Sequence, residues 1–159
     1  MSGLTLIHVI ISLIAIVTGI AVAHGFLTGK RYERTTLIYM VTTILTSLTG
    51  FLFPFNGVTP GIVVGTLCVL IFIPTALALY KFRLTGIWRP VYVVGALALL
   101  FFNCLVLIVQ SFQKIPPLHA LAPADNAPPV LASQLVLLAV IVIVGFLSVR
   151  RFRPQLQGA

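Results

Sequence analysis

Five long apolar runs, each about as long as a bilayer crossing, are joined by connections whose cations, Lys114 apart, lie in every second loop. A helix needs about 20 mostly apolar residues to cross a hydrocarbon core of roughly 30 Å. The runs at 4–27, 35–55, 58–80, 91–112 and 130–149 meet that length. Of the 159 residues, 60% are hydrophobic and 8% are charged, whereas soluble domains are about one quarter charged. The expectation is an all-α integral membrane protein, a single domain built as a bundle of five transmembrane helices.

The cations set the threading. Lys30, Arg31 and Arg34 follow the first run, Lys81, Arg83 and Arg89 the third, and Arg150, Arg151 and Arg153 the last. With five crossings all of these fall on one face, and only Lys114 falls on the other, near Asp125. Cytoplasmic loops retain Lys and Arg, which predicts the N-terminus outside and the C-terminus in the cytoplasm. Four or six crossings would split the clusters. The same argument accounts for the net charge of +8, and nucleic acid is excluded as a partner; the bilayer, and other membrane subunits, are the expected ones. Ala21-Val22-Ala23 resembles a signal-peptidase site, but a signal peptide starts with a positive region and "MSGLTLIH" has no cation. An uncleaved, outward-starting anchor is expected.

Punctuation and small residues predict the packing. Pro54, Asn56-Gly57 and Pro60-Gly61 signal a tight reversal between the second and third runs. Pro74, inside the third, removes a backbone donor and predicts a kink, while Pro90 suits the start of the fourth. Small residues three or four apart mark helix contacts in lipid. Gly61 with Gly65, and Gly19 with Ala23, are read as contacts within one chain. Thr42, Thr43, Thr46, Ser47 and Thr49 on the second run are expected to face the bundle and bond to their own helix. Tyr32, Tyr80, Trp88 and Tyr92 form one expected aromatic belt, Phe51, Phe53, Phe55 and Phe112 the other.

No Asp, Glu, Lys or Arg lies inside a run, and membrane ion or proton pathways usually need such groups, so a small transporter is only a third reading. The polar groups at depth gather in the outer half. Asn103, Gln110 and Lys114 repeat at seven and four on one face of the fourth run; Gln134 and His8 lie about one turn inside, with Ser12 four residues beyond His8 and His119 in the loop above. Lipid-buried amides are costly unless paired. His8, Ser12, Asn103, Gln110, His119 and Gln134 are therefore candidates for an outward-facing polar pocket; pairing between neighbouring helices is the plain alternative. Cys68 and Cys104 fall at one depth on antiparallel runs, either as a thiol pair or as small apolar fillers.

Transmembrane histidines also suit haem b, which takes neutral imidazole as its axial ligand. His8 and His24, sixteen residues apart, are separated by roughly 24 Å along the axis and cannot share a haem. Only His8 and His119 are left as a pair, and resemblance to membrane b-type cytochromes extends to size and helix count alone. No GxSxG, HExxH or phosphate-binding glycine loop is present, though a quinone site would leave no such motif. "LTSLTGFLFPF", "GIWRPVYVVGA" and "IPPLHALAP" resemble stretches of small, uncharacterised multi-pass inner-membrane proteins of bacteria. That resemblance implies a location and no activity. The reading is a non-catalytic binding or accessory subunit, with a haem or quinone redox component as the alternative. The connection 113–129, "QKIPPLHALAPADNAPP", is stiffened by five prolines, and its "LHAL" suits a helical turn lying over the outer cluster.

Overall fold

The computed structural model describes residues 3–54 and 57–154. Phe55 and Asn56, with their share of the expected belt and turn, lie outside the described residues. All regular structure among these is helical: α1 (Gly3–Thr28), α2 (Glu33–Gly50), α3 (Pro60–Ala76), a wider π turn at Leu77–Lys81, α4 (Trp88–Lys114), α5 (Pro116–Leu121) and α6 (Pro128–Arg151). Four stretches are long and apolar enough to cross a membrane: Gly3–Thr28, Pro60–Lys81, Trp88–Lys114 and Pro128–Arg151.

The second run differs from expectation. Instead of reaching residue 55, α2 stops at Gly50, where the Phe51 and Leu52 N–H groups turn back onto the Leu48 and Thr49 carbonyls and Pro54 follows. The residue before a proline avoids helical geometry, so the chain leaves the helix there. With 18 residues α2 rises about 27 Å. Glu33, Arg34, Ser47 and the threonines dilute its apolar content, which is why it does not qualify on composition by itself.

The outer surface differs from that of a water-soluble bundle, while the core is apolar in both. Val17 is 67% exposed and Leu135 is 65% exposed, and many other Leu, Ile and Val side chains stand outward around α1, α3 and α6. Thr36, Thr43, Ser47, Thr75 and Ser148 are buried. Such an apolar circumference is stable only against hydrocarbon or another apolar surface.

Close helix approaches occur where side chains are smallest. Along α1 and α2, Gly25 meets Tyr32, Gly19 meets Tyr39 and His8 meets Thr49, so the two helices run antiparallel over nearly their whole lengths. A methyl added at Gly19 would lie 2.8 Å from both Tyr39 and Leu100. Gly95 brings α4 onto Thr75 of α3 with no room for a side chain. Gly65 receives the Phe51 ring within the chain, whereas Gly61 faces only Thr59. Tyr39, buried at the bundle centre, donates to the Ala96 carbonyl of α4 at 2.6 Å.

Pro74 lies inside α3, and three residues later the helix opens into the π turn, which Phe82 N–H closes onto the Leu77 carbonyl at 2.9 Å. Arg83 and Leu84 then take left-handed backbone, φ 48° and 61°. Leu84 is held there by a bond from its N–H to the Ala78 carbonyl and by burial of its side chain. The Phe82 ring stacks on Trp88 at 3.9 Å as α4 begins. At this end of the bundle the three basic segments converge. Arg89 donates to the Phe152 carbonyl at 2.8 Å, the Phe152 ring packs against Phe26 and Tyr92, and Gly29 lies beside Arg151.

Candidate functional site

At the opposite end, where Lys114 closes α4, α1 and α2 hold a histidine between them. His8 Nδ1 lies 2.8 Å from Thr49 Oγ1, and its ring stands edge-on to Phe53 at 5.2 Å. The Thr49 hydroxyl has one proton, for which the Leu45 carbonyl is an acceptor at 2.8 Å. With the proton directed to that carbonyl, His8 Nδ1 donates to Oγ1 and Nε2 keeps a lone pair; with the proton turned to Nδ1, Nε2 carries the ring proton instead. Lys114 is near enough for its charge to act on the ring. Ser12 donates to Val9 of its own helix.

Asn103 and Gln110 share one face of α4, two turns apart. Asn103 Nδ2 and Gln110 Oε1 are buried and make no hydrogen bond. One is a donor and the other an acceptor. Gln134 is half-buried on the second turn of α6. His119 is exposed on α5, none of whose residues is buried; the connection is anchored instead by buried Ala122 and by Gln113 Nε2 donating to Asp125 Oδ1. The structure thus brings His8 to Thr49 and aligns the two amides. Among the described residues no hydrogen bond or ring contact joins His8 to His119, and no cluster of three His, Cys, Asp or Glu side chains could hold a metal ion. Cys68 and Cys104, on adjacent α3 and α4, are both free thiols.

Several polar residues acquire places the sequence reading did not assign. Thr49 carries both jobs, the expected bond to its own helix and the clamp on His8. Thr42, Thr46 and Ser47 bond four residues back, while the buried Thr43 hydroxyl has no partner. Tyr92 is corrected from belt to core: it is 0% exposed, its ring 5.4 Å from Phe26, with its hydroxyl unpaired. Its position on the first turns of α4 is at belt depth, but the face that carries it also carries buried Val93, Ala96 and Leu99. Tyr80 and Tyr32 do remain at the surface or partly exposed, Tyr32 stacking on His24. Tyr39 carried a signal, being a tyrosine inside the second run, two helical turns past the belt residue Tyr32.

An outer surface of Leu, Ile and Val around an apolar core with a few buried hydroxyls, with helices long and apolar enough to cross a bilayer, defines a helical membrane protein. No family model, curated protein or solved structure matches the chain.

Proposed function

We propose that this is a five-span protein of the bacterial inner membrane, N-terminus outside and C-terminus in the cytoplasm. In this reading it serves as a non-catalytic binding or accessory subunit through a polar pocket that opens outward beneath the 113–129 connection. The pairing of α1 with α2 from Gly25 and Tyr32 to His8 and Thr49 supports the fifth span, because it covers about 25 Å of depth. Whatever medium surrounds α1 also surrounds α2, whose threonines face protein or bond their own carbonyls. The converging basic segments, with Lys114 at the far end, support the orientation. Reporter fusions within 113–129 are expected to signal from the periplasmic side; a cytoplasmic signal overturns the threading.

The binding reading is carried by the unpaired Asn103 Nδ2 and Gln110 Oε1. A buried polar atom without a partner costs about 1–3 kcal/mol, a cost removed by a ligand or neighbouring subunit that offers one acceptor and one donor about 10 Å apart. Asn103→Leu and Gln110→Met are expected to leave thermal stability unchanged or raised while the molecule that co-purifies in mild detergent is lost. Retention of all co-purifying material by both variants overturns the pocket. The haem alternative has one observation in its favour, the 2.8 Å contact of His8 Nδ1 with Thr49, which in the Nδ1-protonated tautomer frees Nε2 as a ligand. A missing Soret band in the same preparation, expressed with ample haem, removes it.

A further inference from the structure

A second surface feature lies at the basic end, away from the amides. Phe72, Ile73, Ala76, Leu77, Tyr80 and Lys81 line an open groove of about 360 Å³ on the outward face of α3 and its π turn. Their spacing of three and four puts them on one helical stripe, in which Ala76, two residues past Pro74 and just before the π turn, is the smallest side chain. The walls are apolar throughout, and the last turn is bordered by Tyr80 and Lys81, which line the groove with their carbon atoms. From Phe72 to Lys81 the groove rises about 13.5 Å, close to the roughly 15 Å of hydrocarbon in one leaflet. Arg31 is near enough to act electrostatically on Tyr80. Of the chain's two acids only Glu33 lies among the basic segments.

We propose that this groove is a site for an anionic phospholipid, one acyl chain lying over Ala76 and the phosphate meeting Lys81 at the headgroup level. Charge complementarity selects the occupant. A zwitterionic lipid satisfies the apolar walls equally well but gains little from the cations, whereas each Lys or Arg near an anionic surface contributes about 1 kcal/mol. The site depends on α3 crossing the bilayer and not on which face is cytoplasmic, so its test stands apart from that of the threading.

Trp88 is the single tryptophan, stacked on Phe82, over whose ring Lys81 Nζ lies at 5.6 Å. It therefore reports on lipid held at Lys81. The full chain in phosphatidylcholine nanodiscs, with the same lipids in both leaflets, is titrated with doxyl-labelled phosphatidylglycerol or doxyl-labelled phosphatidylcholine. Half-maximal quenching of Trp88 is expected at about five-fold lower mole fraction for the anionic label. Lys81→Gln and Ala76→Leu, the second without a charge change, are each expected to abolish that preference, and Arg153→Gln, an equal charge loss on the exposed tail, to keep it. Equal quenching by the two lipids in the unaltered protein overturns the site. So does a preference that survives Lys81→Gln and Ala76→Leu, or one that Arg153→Gln weakens as much as Lys81→Gln does, since either result assigns it to the diffuse field of the basic end.

Discussion

Phe152→Ala is expected to cost about 3–5 kcal/mol, the range for removing a buried aromatic ring. The ring is 1% exposed although it lies beyond the last turn of α6. It meets Phe26 at 4.8 Å and Tyr92 at 6.3 Å, while its carbonyl accepts from Arg89 and its N–H donates to the Ser148 carbonyl. Within hydrocarbon, losing an apolar contact is partly offset because lipid replaces it. Phe152 sits among arginines at the end of the bundle, where water is the alternative, so the full transfer cost applies. Thermal unfolding in detergent measures the loss, and trypsin cleavage at Arg150 and Arg151 is expected to quicken as the tail detaches. Arg153→Ala, an exposed change on the same tail, is expected to stay within about 0.5 kcal/mol. A Phe152→Ala protein with unchanged melting and unchanged cleavage would show that the tail is not anchored there.

Gly95→Leu has the second large expected effect. Even a methyl at this position would overlap Thr75 Oγ1, and Thr75 is itself fully buried and bonded to the Ile71 carbonyl at 2.7 Å. Overpacking costs about 1–3 kcal/mol, occasionally more. A leucine here must push α3 away from α4 and is expected at or above the top of that range. The smaller Gly95→Ala is expected to lower the melting temperature too, and Thr75→Ala combined with it to restore at least half of the loss, giving a coupling in the range of about 0.5–3 kcal/mol for residues in contact. Strictly additive effects of the two alanines would mean that the helices do not meet at this pair.

The helices themselves were legible because each is a local property of the chain. The expected 4–27, 91–112 and 130–149 correspond to Gly3–Thr28, Trp88–Lys114 and Pro128–Arg151, with differences of one to three residues at the ends. Where the reading strayed, at the end of α2 and in the π turn, the deciding bonds involve Phe51, Leu52, Phe82 and Leu84, none of which carries a distinctive sequence signal. The polar groups near Lys114 were likewise nameable from depth and helical spacing. That His8 is held by Thr49, 41 residues away, was not, since Thr46, Ser47 and Thr49 all sit in the last turns of α2 and each has an acceptor on its own helix. Tyr39 bonding to Ala96 and Arg89 bonding to Phe152, 57 and 63 residues apart, were beyond reach for the same reason.

What the sequence by itself determined is the solvent: 60% hydrophobic and 8% charged residues, arranged in bilayer-length runs between basic connections, call for hydrocarbon. Transfer from water sums over residues one at a time, so it can be read without knowing any neighbour. Only the tertiary structure decided which small residues let helices touch, that Tyr92 turns inward, and that Asn103 Nδ2 and Gln110 Oε1 are buried without partners. Those are pairwise properties. Lipid offers helices no preference for one another by hydrophobicity, so contact geometry and hydrogen bonding between distant segments make the choice.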